Sequence, residues 1–172
     1  MKIGTRTLLF GTHNIVIHPL LVAIAWWKLY SFPWSPKLWI AFIVHDWGYW
    51  GKPNIDGKEG KTHPELGAKL MHKWFDKGNS NEWYNFMIGH SRSYSTGKDI
   101  ALSKLAVADK MVMLFYPAWL FVFIAQLTGE LKEYIGTPAY YEKYNMRKYR
   151  ILWYKDIKLY LYAWIKVAKT LY

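Results

Sequence analysis

The chain has 172 residues, no cysteine, a net charge of +11, and a dense aromatic content of 11 Trp, 14 Tyr and 8 Phe. That length suits one domain with a real core rather than two, the aromatics argue against a disordered chain, and the missing thiols exclude disulfides, thiolate zinc sites and cysteine nucleophiles. The positive balance favours anionic partners such as a small phosphate compound, nucleic acid or an acidic membrane surface.

The N-terminal stretch M-K-I-G-T-R-T-L-L-F-G-T-H-N has a short apolar patch and no small-residue cleavage site. No signal peptide is therefore read there, and a cytoplasmic location is expected. A first helix is expected from about His18 to Tyr30, with Pro19 suited to its first turn. Ser31-Phe32-Pro33-Trp34-Ser35-Pro36 ends it. Ser35 and Pro36 then read as cap and first residue of a second helix, which runs through Leu38, Ile40, Ile43 and Val44 to His45-Asp46. Gly48, Gly51, Pro53, Gly57 and Gly60 make a loop. Thr62-x-x-Glu65 has the form of a capping box and opens a helix ending near Gly78. Asn79-x-x-Glu82 is a related cap for a helix carrying Trp83, Phe86, Met87 and His90.

Asp99 is expected to cap the next helix, which holds Leu102, Leu105, Val107 and Asp109 and runs toward Pro117. The last long helix spans roughly Arg147 to Leu171. No stretch keeps a period of two, so the expected fold is all-α. It is a compact helical domain over residues 1–131, with a basic, aromatic-rich helical extension over 132–172 packed on it. Met111 to Leu127 carries no charge, which is near the lower limit for a bilayer span. Pro117 interrupts it, and a buried core helix is the preferred reading.

The C-terminal helix places Ile157, Leu161, Trp164, Ala168 and Leu171 in one apolar stripe. Lys155, Lys158, Lys166 and Lys169 line another face with Tyr162. The expected arrangement is a helix packed on the core with a solvated basic side; peripheral membrane contact or a homo-oligomer contact are the sharper alternatives.

The six histidines carry the functional signal. One histidine in a helical protein is usually a surface residue or a hydrogen-bonded core residue. Here His18 begins a helix, His45-Asp46 ends one, His63 opens the next and His90 closes the one after. Asp109 sits in the apolar run L-A-V-A-D-K-M, where a buried carboxylate needs a strong partner, and a metal supplies one. His72, among Lys69, Lys73 and Asp76, reads as solvated.

The order His18, His45-Asp46, His63, His90, Asp109 resembles the HD superfamily of metal-dependent phosphohydrolases in its extended form with two additional histidines. The contexts H-P-L-L-V-A-I-A-W, T-H-P-E-L-G-A, I-G-H-S-R and L-A-V-A-D-K-M resemble that family's ligand segments, and the likeness covers Thr12 to Met113. It implies that His18, His45, Asp46 and Asp109 hold a first divalent metal, and that Asp46 bridges to a second held by His63 and His90. Nitrogen and carboxylate donors suit Mn²⁺, Fe²⁺, Co²⁺, Ni²⁺, Mg²⁺ or Zn²⁺. The implied activity is hydrolysis of a nucleotide or related small phosphate ester by metal-activated water, with Asp46 central and Arg92 and Lys110 as phosphate-binding cations.

The alternatives are a di-iron oxygenase of similar ligand order, or a non-catalytic module that binds nucleic acid or membrane. Tyr49 stands where many cyclic-dinucleotide members carry lysine after H-D-x-G, and Lys52 is the residue that could reach that place instead. His13 reads as a partner orienting a ligand rather than a ligand itself. Trp47, Tyr49 and Trp50 are expected to close the core over the site.

Overall fold

The structure, a computed structural model, describes residues 1–95, 100–136 and 147–170, with the backbone alone at 147 and 148. The described residues are helical and contain no strand, so the all-α expectation holds. The expected caps of Asp99 and the expected stripe position of Leu171 lie outside the described residues.

Helix α1 (Ile3–Phe10) was not expected from the sequence, because eight residues with one short apolar patch give little periodicity. It buries Gly4, Thr7 and Leu8 against α8 and the turn after His45-Asp46. Helix α2 (Ile17–Leu29) is apolar almost all round. Its N-terminus is capped from outside the helix, since the Asn14 side chain accepts from the N–H groups of Val16 and Ile17, both at 3.0 Å. Helix α3 (Pro36–Val44) starts with Pro36 as expected. Ser35, however, contributes only its carbonyl, which accepts from Leu38 at 3.0 Å, and no side-chain cap.

The Thr62-x-x-Glu65 capping box does not form. Thr62 belongs to a 3₁₀ turn, Gly60–Thr62, where its hydroxyl donates to the Glu59 carbonyl and accepts from Lys52. Helix α4 (Pro64–Phe75) begins two residues later with Pro64 in its first turn, and Glu65 instead accepts from the Tyr94 hydroxyl. It ends at Phe75 rather than near Gly78.

Helix α5 (Glu82–Ile88) is capped by Asp76, which accepts from the N–H groups of Trp83 at 3.0 Å and Tyr84 at 3.2 Å, not by Asn79. It stops before His90, which sits in the turn that follows. A short α6 (Arg92–Ser95) comes next. Helix α7 (Lys104–Phe115) starts at a Ser103 cap, whose hydroxyl accepts from Ala106 at 3.4 Å, so Leu102 precedes it.

Tyr116 and Pro117 are extended, as a residue before proline and proline itself prefer. They break the uncharged run into α7 and α8 (Ala118–Thr128), bent by 107° from each other. Among the described residues no single helix is long and apolar enough to cross a membrane, although that bent pair passes by length and composition. Helix α9 (Glu130–Ile135) follows at once because Gly129 takes a left-handed φ of 86° that an L side chain rarely adopts. Helix α10 (Arg147–Lys169) packs along α7 and α8.

One core joins α2, α3, α4, α5 and α7 to the far end of α10, through Ile165 and Ala168. A second lies between α8, α9 and the start of α10, where Tyr154 stacks on Phe121 at 4.1 Å. On α10 the described stripe residues Leu161 and Ala168 are buried, and Ile157 and Trp164 are half-buried. Lys155, Lys166 and Lys169 are exposed. Lys158 departs from the expected solvated face because its ammonium donates to the Tyr116 carbonyl at 2.9 Å across the helix break.

Candidate metal centre

The site sits where four helix ends meet. Helix α3 stops at Val44; His45 continues the turn, and Asp46 takes φ −99° and ψ 0°, a backbone state common in active sites. That change of direction lets two adjacent side chains face one point. His18 comes from the first turn of α2, His63 from the cap position of α4, His90 from just past α5, and Asp109 from the middle of α7. All six are buried.

They form two overlapping groups, each with one ligand atom per residue and all such atoms within 4.8 Å: His18, His45, Asp46 and Asp109, and Asp46, His63 and His90. In the first, His18 Nε2 lies 3.0 Å from Asp109 Oδ1 and 3.2 Å from His45 Nε2, and His45 Nε2 lies 3.1 Å from Asp46 Oδ2. In the second, His63 Nε2 and His90 Nε2 are 3.1 Å apart, at 3.5 and 3.7 Å from Asp46 Oδ1. The two oxygens of Asp46 therefore face one group each.

Three imidazoles are oriented by the same local device. Nδ1 of His45, His63 and His90 lies against the carbonyl three residues earlier, of Phe42, Gly60 and Met87, at 2.8, 2.9 and 2.5 Å. A carbonyl only accepts, so each Nδ1 carries a proton, and in the neutral ring each Nε2 presents a lone pair. Lone pairs and carboxylate oxygens about 3 Å apart match the edges of a coordination shell with bonds of about 2.1 Å. Asp46 Oδ2 and His18 Nδ1 are buried polar atoms without a hydrogen-bond partner, a costly arrangement unless a cation satisfies the carboxylate. The donor set fits a divalent metal.

Burial works against charging these groups, and the charges around them decide the rest. Burial would raise the Asp46 carboxyl, yet the imidazoles of His45 and His13 hold it well below the usual range. Asp109 is likewise held down against burial, by the Lys110 ammonium and His18. Burial, with the His90 ring beside it, pushes His63 well below its ordinary value.

Lys110 Nζ is 2.9 Å from Asp109 Oδ2, leaving Oδ1 toward His18. Together with Arg92 it lines a cavity of about 170 Å³ over the two groups, shared with Lys61, Ser91, Ser93, Asp56 and Tyr49. A larger cavity of about 700 Å³, walled by Trp26, Leu38, Trp83 and Phe86, lies apart from this cluster and includes none of its residues.

The loop residues divide differently from expectation. Tyr49 is buried and stacks on His63 at 4.0 Å. Trp47 and Trp50 do not close the core; both are exposed, because the 3₁₀ turn Trp47–Tyr49 directs only one of the three aromatics inward. Lys52 does not line the cavity, since its ammonium is held by Thr62, and Lys61 is the loop lysine that does. Gly48 is required by close approach: a Cβ there would stand 1.9 Å from the His63 carbonyl oxygen. This contact sets the segment after Asp46 directly against the one that carries His63. His72 is exposed, as expected, and pairs with Asp76 at 3.0 Å.

His13 belongs to neither group. Its Nδ1 meets the hydroxyls of Thr7 at 2.9 Å and Thr12 at 3.2 Å, and its ring lies 5.3 Å from that of His18. Behind it stands Glu130, fully buried, which accepts from Thr12, from Thr128 at 2.6 Å and from Tyr134 at 2.9 Å. Burial opposes the charge on both, but Asp46 and Glu130 raise His13 to about 9, and His13 with the two threonines lowers Glu130 to about 2.

Sequence reading missed Glu130 and Lys61. Glu130 was recoverable from the signal used for Asp109, an acid at the edge of an apolar run; nothing local marked Lys61 among the three loop lysines, Lys52, Lys58 and Lys61. The chain matches no known protein family, no curated protein and no solved structure, so the functional reading rests on this geometry.

Proposed function

We propose that this protein is a metal-dependent phosphohydrolase acting on a nucleotide or a related small phosphate ester, of the HD type that its ligand order resembles. The observation that carries the reading is the convergence of four imidazole Nε2 atoms on the two oxygens of one carboxylate, Asp46, with Asp109 completing one side. On this reading His18, His45, Asp46 and Asp109 hold one divalent cation, and Asp46, His63 and His90 hold a second. Bound there, such cations supply an acidified water nucleophile and neutralise charge developing on the phosphoryl group.

The chain's own residues do the rest. The three carbonyl-anchored imidazoles keep their Nε2 lone pairs aimed without further reorganisation. Lys110 occupies one oxygen of Asp109 and thereby fixes which oxygen faces the centre. Arg92, Lys61 and Lys110 are the cations that bind phosphate oxygens, assisted by the hydroxyls of Ser91 and Ser93. Tyr49, stacked on His63, shields that imidazole from water.

A cavity of about 170 Å³ is smaller than the roughly 300–1,000 Å³ of pockets that enclose whole drug-sized ligands, so it takes the phosphate end and leaves the remainder near the mouth.

The test is turnover of a panel of nucleotides and small phosphate esters with Mn²⁺, Fe²⁺ or Co²⁺, compared with Asp46→Ala. Hydrolysis that Asp46→Ala abolishes supports the reading; a panel on which wild type and variant release phosphate equally removes it.

A further inference from the structure

Helix α2 serves the metal centre with one side, but its other side is unusual for a helix on a protein surface. Val22, Ala25, Trp26 and Leu29 pack into the main core. The opposite side presents Ile17, Leu20, Ile24 and Trp27, spaced by three and four, with Leu20 53% and Trp27 59% exposed. A surface helix normally turns polar side chains outward; here the stripe is apolar from end to end, with Lys28 the exposed charge of α2 beside it. The stripe continues through the loop that follows. The rings of Trp27 and Phe32 are 5.6 Å apart, those of Phe32 and Trp34 4.5 Å, and Trp34 is 83% exposed.

Charge decides what such a face meets. From Met1 to His45 the chain holds no aspartate or glutamate, and its charged residues there are Lys2, Arg6, Lys28 and Lys37. Lys28 is the cation beside the stripe, and a second copy docking by a two-fold contact would bring its own Lys28 with no acid from this segment to pair it. An anionic bilayer surface supplies the missing charge and takes the apolar stripe as well. Thirteen helical residues span about 20 Å, too short to cross the hydrocarbon but suited to lying along it. Exposed tryptophan beside lysine is the side-chain pairing that settles at the headgroup level.

We propose that the outer face of α2, with Phe32 and Trp34, is an interfacial docking surface for an anionic lipid bilayer. The metal centre lies on the same helix through His18, so docking holds the site at the membrane without occupying it.

The experiment is flotation of the full chain with vesicles of phosphatidylcholine alone or with about one third phosphatidylglycerol. Wild type is expected to float with the anionic vesicles, less at high salt, and poorly with the neutral ones. Trp27→Ser with Trp34→Ser should lower the bound fraction about tenfold or more while helical circular dichroism and metal content stay unchanged. Lys28→Glu, a solvent-facing change that leaves the core intact, should weaken binding several-fold on anionic vesicles only. Wild type that fails to float, or floats equally after both sets of substitutions, overturns the proposal. So does a wild-type dimer by light scattering that the tryptophan pair converts to monomer while vesicles recover nothing, which assigns the face to a second copy.

Discussion

His63 and His90 face each other with their Nε2 atoms 3.1 Å apart, while the Nδ1 of each ring is committed to a backbone carbonyl three residues earlier. Neither Nε2 has a proton to give when both rings are neutral, so the two lone pairs repel unless something positive lies between them. Two ordinary helix-end hydrogen bonds thus leave a pair of histidines that could hold a cation, with Asp46 Oδ1 as the carboxylate beside them.

Ion content should separate the two groups. Asp109→Ala removes a donor from the first group only, and His63→Ala or His90→Ala one from the second only. Each is expected to lower the bound metal by about one equivalent, whereas Asp46→Ala lowers it by two. Elemental analysis of the purified variants measures this, and a loss of both equivalents in His90→Ala would contradict the division.

Metal should stabilise the fold. Six buried polar groups, two of them carboxylates, lie together, so chelation leaves an unbalanced cluster. Addition of Mn²⁺ to the chelated protein is expected to raise Tm with a dependence on metal concentration, by linkage. In Asp46→Ala, scanning calorimetry should find that dependence gone.

Gly48→Ala should be costly beyond its size. The added methyl would sit 1.9 Å from the backbone oxygen of His63, where no flexible side chain can give way. We expect a loss of about 3 kcal/mol in denaturant unfolding together with weaker metal binding, since the two ligand-bearing segments must separate. Gly51→Ala, with open space around its Cβ but φ of 76°, should cost about 1 kcal/mol and leave metal binding alone.

The His13–Glu130 pair predicts a pH window in the chelated protein. His13 is raised from 6.5 to about 9, so its contribution is complete below pH 6.5 and is lost as pH rises through 9. Glu130 is lowered from 4.5 to about 2, so its contribution is complete above pH 4.5 and is lost as pH falls through 2. Tm of the wild type should therefore exceed that of Glu130→Gln most between about pH 4.5 and 6.5, and the gap should narrow toward alkaline pH. A gap that is flat with pH would show that the carboxylate's charge is immaterial.

The two loop lysines should differ. Lys61→Ala, which removes a cavity cation, is expected to raise KM for a phosphate ester several-fold with a smaller change in kcat. Lys52→Ala breaks only the bond to Thr62 and should leave KM unchanged. Steady-state kinetics on both variants decides it.

The residue order alone determined that the chain is all-α, because no segment alternates with period two. It also singled out His18, His45, Asp46, His63, His90 and Asp109, because polar ligand types recurring at helix ends and inside an apolar run are conspicuous in one dimension. Several caps were misread for a physical reason: Ser, Thr, Asp and Asn are interchangeable in a pattern, and which of them bonds a free N–H depends on where the preceding chain runs. Asp76 caps α5 and Asn14 caps α2 from loops whose paths no local pattern fixes.

Tertiary structure alone decided that Tyr49 rather than Trp47 or Trp50 faces inward, that Lys61 rather than Lys52 reaches the cavity, and that Glu130 backs His13 from 117 positions along the chain (130 − 13). These are outcomes of packing between segments distant in sequence, where a few ångströms of approach, set by contacts such as Gly48 against His63, choose between side chains that look equivalent on paper.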